Sequence, residues 1–173
     1  AAIIRAVVYD RSGNGAAAVN KSITVNKNTI SGQIECESFV GLSREIDFVA
    51  TGTQRKAWTM TVMGFVNGIA SYVLSDVPDG PNSLSACTNW HLRRKVNLSG
   101  GLNGQWTANF VGEDKLLGGD LNRSNLVNLV DYSFLKAHWF SQNSEADVNG
   151  DGLVNLTDYT IMKLNWYAVG DPE

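Results

Sequence analysis

The sequence predicts a multidomain chain in which an all-β antiparallel sandwich is followed by a small all-α unit. Up to residue 117, short alternating apolar and polar stretches are separated by turn residues at roughly ten-residue spacing, which is typical of sandwiches. Near Leu117, a composition rich in Thr, Val, Ser and Gly gives way to one rich in Leu, Asn and Asp. Beyond this point one segment occurs twice, each time followed by a helical pattern. The predicted boundaries are 1–27, 28–117 and 118–173.

Residues 1–27 are predicted to form a β-hairpin, with strands Ile3 to Asp10 and Val19 to Val25. The hairpin resembles the last two strands of an immunoglobulin-like bacterial surface module. Two strands alone are marginally stable in water. We therefore expect the hairpin to be a remnant of such a sheet, to add to the following domain, or to complete a sheet of a neighbouring subunit.

The middle segment carries seven candidate strands separated by Gly, Asn and Pro turns. Its phrase Leu74-Ser-Asp-Val-Pro-Asp-Gly-Pro81 resembles prealbumin-like or carboxypeptidase-regulatory-like sandwiches of secreted bacterial proteins. The predicted strands are Ser31 to Phe39, Glu45 to Thr51, Ala57 to Phe65, Ile69 to Leu74, Asn82 to Thr88, Leu92 to Leu98 and Gln105 to Val111.

The repeated segment consists of two twelve-residue loops, Asp120–Asp131 and Asp147–Asp158. Ca²⁺ takes six to eight oxygen ligands, and such a loop presents them from positions 1, 3, 5, 9 and 12 and from the carbonyl at position 7. Both loops match this spacing, so we predict two bound Ca²⁺ ions. The predicted ligands are Asp120, Asn122, Ser124, the Leu126 carbonyl, Asn128 and Asp131 in the first loop, and Asp147, Asn149, Asp151, the Leu153 carbonyl, Asn155 and Asp158 in the second.

The two loops differ in ways that favour tighter binding in the second. The first loop offers two carboxylates against three, and Asn125 stands where the second loop has Gly152. Asn tolerates positive φ better than most residues, so the turn is expected to form. Val127 and Val154, both at position 8, are expected to pair in a short strand that ties the loops together.

Each loop is followed by a helix, and neither is preceded by a convincing one. This duplicated half-motif, with Asp at position 12, resembles a dockerin, the module that docks onto cohesin domains in extracellular assemblies. The resemblance covers about Gly118 to Tyr167 and implies a cohesin-like partner. The partner-facing residues that it implies are Leu129, Val130, Lys136, Ala137, Leu156, Thr157, Lys163 and Leu164.

The two helices repeat an apolar pattern at i, i+3 and i+7, which lies on one helical face. We predict that these residues form a small core between the helices, with an aromatic docking surface as the alternative for the two tryptophans. The residues are Tyr132, Leu135 and Trp139 in the first helix and Tyr159, Met162 and Trp166 in the second.

No residue pattern predicts catalysis, because neither His91 nor His138 stands in a triad-like or metal-spaced context. A formal net charge of −3 gives no bulk attraction for nucleic acid, and the apolar runs are too short to cross a bilayer.

The basic run His91 to Lys95 suits either protection of an edge strand or contact with an anionic glycan. Cys36 and Cys87 are either bridged or two free buried thiols.

The leading hypothesis is a non-catalytic extracellular or cell-surface anchoring module with a β-sandwich spacer. The alternatives are a structural subunit of a calcium-stabilised filament or surface layer, in which the partners are further copies of the chain, and the C-terminal tail of a secreted hydrolase. Because the predicted helical core is small, we expect residues 118–170 to lose their fold in chelator.

Overall fold

The computed structural model describes residues 28–173 in full and the backbone of residues 2–6 and 19–23. Short 3₁₀ turns occur at Leu102–Gly104 and Gly112–Asp114. The helices are α1 (Leu129–Ala137) and α2 (Leu156–Leu164). The strands are β1 (Ala2–Ala6), β2 (Val19–Ile23), β3 (Thr29–Glu35), β4 (Ser43–Gly52), β5 (Lys56–Met63), β6 (Ile69–Leu74), β7 (Pro81–Cys87), β8 (Arg94–Asn97), β9 (Ser99–Gly100) and β10 (Gln105–Thr107).

Two four-stranded sheets, ordered β6-β3-β10-β9 and β5-β4-β7-β8, enclose the larger core. Phe48 of one sheet stacks on Tyr72 of the other, with ring centroids 4.6 Å apart. The Tyr72 hydroxyl donates a hydrogen bond of 2.8 Å to the Ala108 carbonyl. Strands β5 and β6 alternate more buried with exposed positions, as the sequence pattern predicts. Strand β7 is instead buried at almost every position.

The expectation of a fully antiparallel sandwich is wrong at one position, because β10 pairs with β3 in parallel. Parallel bridges continue from Ile34 to Phe110 and from Cys36 to Leu116. The chain between β3 and β10 forms most of the sandwich, so it supplies the long crossover that a parallel pair needs. The last part of the β domain therefore returns beside β3 and leads directly into the helical unit.

Strands β1 and β2 pair antiparallel with each other in a separate two-stranded sheet. In the described ranges neither strand pairs with the sandwich sheets. The remaining residues of the predicted hairpin, with its turn, lie outside the described residues.

Asn128 and Asn155 cap the two helices. Each asparagine side chain accepts a hydrogen bond from the backbone of the first helical turn, and the aspartate three positions later accepts one from the cap backbone in return. This reciprocal arrangement satisfies donors that a helix start otherwise leaves unpaired. The repeated Asn-Leu-x-Asp sequence therefore sets where both helices begin.

The expected pairing between Val127 and Val154 is wrong. Both side chains are buried in the second core, but their backbones pair with the segments that follow the helices. Val127 exchanges hydrogen bonds with Tyr167 and Ala168 after α2, and Val154 with Phe140 and Ser141 after α1. Each loop is therefore closed by the segment after the other repeat's helix, so neither repeat is complete alone.

Within residues 28–173 and the two described strands, no helix is long and apolar enough to cross a membrane. Cys36 and Cys87 are both buried as free thiols.

Candidate metal sites and docking face

The first aspartate of each loop is buried and holds the loop turn. The Asp120 carboxylate accepts hydrogen bonds from the backbone of Ser124 (3.0 Å) and Asn125 (2.9 Å). Asp147 accepts them from Gly150 and Gly152, both at 2.8 Å. Asn125 has a φ of 63° and Gly152 one of 90°, so the prediction that asparagine adopts the glycine conformation is confirmed.

The last aspartate of each loop is fully buried and turned back toward the loop's start. Asp158 accepts hydrogen bonds from the backbone of Val148 (2.8 Å), Asn149 (3.2 Å) and Asn155 (2.9 Å). Asp131 repeats these three contacts in the first loop. One carboxylate thus joins the start of the loop to the start of its helix and closes the loop.

The middle positions provide further oxygens in the same loops. The Leu126 carbonyl accepts a hydrogen bond of 3.1 Å from the Ser124 hydroxyl. The Leu153 carbonyl accepts one of 3.1 Å from the Asn155 amide, and the Asn149 amide donates to Asp151 at 2.9 Å. Several of the predicted ligand residues of each loop are therefore hydrogen-bonded to one another. The oxygens of Asn128 and Asn155 serve as helix caps.

Negatively charged side chains are concentrated in both loops. Burial raises the pKa of Asp120 and of Asp158, and the nearby Asp131 and Asp147 carboxylates raise these values further. In the part of the chain that the structure describes, no loop aspartate forms a salt bridge. Buried carboxylates that repel each other and have no ion-pair partner favour a bound cation.

The donor set fits a hard divalent cation. Over the described ranges, no three His, Cys, Asp or Glu side chains form a metal-holding group. Any ion here is instead held by a mixture of carboxylate, amide, hydroxyl and carbonyl oxygens. Calcium accepts such a mixture, whereas zinc and copper favour nitrogen or sulfur ligands.

All eight residues implied for partner contact are exposed. They occupy matching positions on the two helices, and Leu129 and Leu156 are each 65% exposed. Most of this surface is apolar, with Lys136 and Lys163 near the ends of the helices. The result is a duplicated exposed face, and we call these eight residues the docking face.

The predicted helical core forms only in part. Leu135 and Met162 are fully buried, but the four aromatic residues of the pattern are half-buried and pack in a continuous row. Ring centroids lie 5.7 Å apart for Tyr132 and Tyr159, and 6.4 Å apart for Trp139 and Tyr159. Two open hollows of about 520 and 540 Å³ flank the row beside the docking face. The aromatic residues therefore serve both the core and the surface.

The sequence did not predict how closely the helical unit packs on the sandwich. The Trp90 indole donates a hydrogen bond of 2.9 Å to the Ser144 carbonyl, and the Asn149 carbonyl accepts one of 2.8 Å from the Val40 backbone. Arg44, at the start of β4, is buried against the second loop. These partners are about 50 to 110 positions apart in the sequence, so no local pattern indicates them.

The basic run at β8 is covered by the end of the chain. The Asp171 backbone donates to the Arg93 carbonyl, and the Lys95 backbone donates to the Asp171 carboxylate, both at 2.8 Å. Asp171 and Glu173 also form ion pairs with Arg94 and Arg93. The edge at β8 is therefore protected by a segment that pairs with its backbone, whereas the sequence predicted protection by exposed charges.

The C-terminal part of the chain can be assigned to a class of module. Residues 118–165 match the family model of the dockerin type I domain. This segment contains both loops, both helices and the whole docking face, and the resemblance to dockerins is confirmed for it.

Among solved structures, the chain is similar to one chain of a type II cohesin-X-dockerin complex from Acetivibrio cellulolyticus, described as an N-terminal interface mutant. The TM-score is 0.59 at 19% identity, over 83% of this chain and 97% of that chain. At this identity the likeness is one of fold. Since it extends far beyond residues 118–165, it includes much of the sandwich. No curated protein is significantly similar to the chain.

Proposed function

We propose that this chain is a calcium-dependent attachment module that binds a cohesin-type partner through the docking face. The observation that carries the proposal is the duplicated, mostly apolar face, which lies within a segment that matches the dockerin type I domain. Large exposed apolar patches on soluble proteins mark interaction sites. The solved structure of similar fold comes from a cohesin-dockerin complex, which supports the same class of partner.

Two calcium ions are proposed to hold the docking face in shape. The predicted ligands of each loop would bind one ion, which supplies positive charge to the buried carboxylates. Because Asp131 and Asp158 also belong to the first turns of α1 and α2, the chain links each loop directly to the helix that carries the face. Loss of the ion is therefore expected to disturb the helix starts, where Leu129 and Leu156 lie.

The sandwich is proposed to act as a non-catalytic rigid spacer. Two sets of contacts support this role. Strand β4 and the residues before it pack against the second loop, and residues at the C-terminal end of the chain cover β8. Such contacts fix the direction in which the docking face points. An extracellular or cell-surface location agrees with loops that depend on a constant calcium supply.

The proposal is tested by titrating purified type I and type II cohesin domains with this chain in a calorimeter. We expect binding of one type in millimolar calcium and none in chelator. The double variant Leu129→Asp with Leu156→Asp should lower affinity by at least about thirtyfold, because central apolar contacts dominate interfaces. Leu42→Asp is the control, since Leu42 is similarly exposed on the sandwich. No binding to either type, or equal binding by the double variant, contradicts the proposal.

The filament alternative has one supporting observation, the separate β1–β2 sheet. In the described strands, β1 and β2 pair only with each other, so their outer edges have no partner in the sandwich sheets. Sedimentation velocity of the chain alone separates the two functions. A monomer in calcium agrees with attachment to a different protein, and calcium-dependent large assemblies favour the filament.

A further inference from the structure

Strand β4 contacts both calcium loops, and it uses a different residue for each. Asp47 accepts a hydrogen bond of 2.5 Å from the guanidinium of Arg123, which is the fourth residue of the first loop. Arg44 donates a hydrogen bond of 2.8 Å to the carbonyl of Val148, the second residue of the second loop. An arginine thus lies at both contacts, but it comes from the loop in one case and from the sandwich in the other.

The Arg44 guanidinium is enclosed, and only 5% of this residue is exposed. Its Cζ atom lies 4.1 Å from the centre of the Phe39 ring and 3.9 Å from that of Trp90. The Val148 carbonyl accepts its hydrogen bond, whereas its Nε atom has no partner. A buried guanidinium with so few polar contacts is costly unless negative charge lies nearby.

The nearby negative charge is that of the second loop. Burial lowers the pKa of Arg44 to about 10, and Cys36, Asp147 and Asp158 oppose this lowering. Because burial raises the pKa of Cys36 to about 12, the two carboxylates are the groups of this set that carry negative charge near neutral pH. Among the described residues, no buried arginine lies against the first loop in this way. Arg123 of that loop is exposed and forms its ion pair with Asp47. The sandwich therefore offsets part of the larger negative charge of the three-carboxylate loop.

We infer that Arg44 is a positioning residue for the second cation loop, which it holds in shape while no ion is bound. Its guanidinium fixes the carbonyl of Val148, the residue that follows Asp147, and so holds a positive charge beside the loop. The inference rests on the proposed calcium sites and is independent of the partner. The inference also changes the expectation that residues 118–170 lose their fold in chelator. We expect the turn of the second loop to be more stable in chelator than the turn of the first.

Amide hydrogen exchange measured by NMR on the whole chain in chelator tests this role. The amides of Gly150 and Gly152 report on the second loop through their bonds to Asp147, and those of Ser124 and Asn125 report on the first through Asp120. In the unmodified chain we expect slower exchange at the second pair. Arg44→Met should accelerate exchange at Gly150 and Gly152 by at least about tenfold in chelator, because a charge-assisted contact is lost.

Three controls make the result specific. Arg123→Met removes the arginine of the other contact and should leave Gly150 and Gly152 unchanged. Arg44→Lys keeps the charge and should exchange at an intermediate rate, which a role in packing alone does not predict. Protection of Phe48 and Leu84 in the sandwich core reports whether each variant is folded. If Arg44→Met does not fold, two measurements test the inference in its place. They are the exchange rates of Gly150 and Gly152 in Arg44→Lys and the comparison of the two loops in the unmodified chain.

Exchange at Gly150 and Gly152 that stays within about twofold in folded Arg44→Met, while calcium still shifts these amides, overturns the inference and leaves the calcium sites intact. Equal exchange of the two loops in the unmodified chain overturns it as well. Absence of any calcium effect at these amides in the unmodified chain instead contradicts the proposed calcium site itself.

Discussion

Asn165, the C-cap residue of α2, donates a side-chain hydrogen bond to the carboxylate of Glu37, which lies 128 positions earlier and two residues beyond β3. The same amide donates to the Gly118 carbonyl at 2.8 Å, and the Gly118 backbone donates to Glu37 at 3.2 Å. Lys115 pairs with the other oxygen of Glu37 at 3.1 Å. These contacts join the sandwich, the connecting segment and the second helix at one partly buried point.

Asn165→Ala is expected to lower the free energy of unfolding by about 1 to 3 kcal/mol, because it removes the side-chain donor to the Gly118 carbonyl and one of the donors to the Glu37 carboxylate. Chemical denaturation in calcium measures the change. Asn97→Ala, an exposed asparagine on β8, is the matched control and should stay within about 0.5 kcal/mol. An equally small effect for Asn165→Ala shows that the junction adds little to stability.

Calcium is expected to raise the temperature of thermal unfolding, since an ion that binds only the folded chain stabilises it by about 2.7 kcal/mol per site at a hundredfold excess over its dissociation constant. Asp158→Asn should remove much of this gain, because an amide has one acceptor oxygen where the carboxylate uses two. Glu145→Gln changes an exposed carboxylate just before the second loop and serves as control. Equal calcium-induced shifts in both variants argue against an ion at Asp158.

His91 is expected to make the fold sensitive to mild acid. Burial and the nearby Arg44 charge hold the pKa of this imidazole well below 6.5, and its Nδ1 atom lies 2.8 Å from the Thr88 hydroxyl. The unfolded imidazole binds a proton below about pH 6.5 and the folded one does not, so stability falls as the pH drops, by up to about 1.4 kcal/mol per unit. Denaturation midpoints in calcium between about pH 5.5 and 7.5 measure this slope. An unchanged slope in His91→Gln assigns the pH dependence to other groups.

Both thiols are expected to react slowly while the chain is folded. Cys36 is fully buried, and burial raises its pKa to about 12, so the reactive thiolate is scarce. Burial also raises the pKa of Cys87, which lies beside the first loop and lines a small cavity with Asp120 and Arg123. A chromogenic disulfide reagent should label two thiols per chain rapidly in denaturant and slowly in calcium. Rapid labelling of both in calcium contradicts the buried positions.

The loops and helices were predictable because their determinants are local. The ligand spacing and the repeat itself lie within short stretches, and a helix follows each loop as predicted. The capping role of Asn128 and Asn155, which were predicted as ligands, became evident only in the structure. Strand β6 matches its predicted bounds, since turn residues flank it closely. Regular spacing of residues along the chain therefore carried most of this information.

Long-range contacts were not predictable in the same way. The parallel pairing of β10 with β3, the closure of Val127 by Ala168 and the insertion of Arg44 beneath the second loop all join distant segments. No periodicity distinguishes Arg44 from a solvated arginine on a strand. The role of Arg44 depends on its burial and on the groups that it contacts, and both are set by the folded structure.

The central claim is tested most directly by a calorimetric titration, in which calcium is added to the chain after its bound metal has been removed with chelator. The account predicts binding of two ions per chain, with one binding event lost in Asp147→Ala and the other in Asp120→Ala. An absence of binding heat at several temperatures, or unchanged stoichiometry in both variants, contradicts the claim that the duplicated loops are calcium sites.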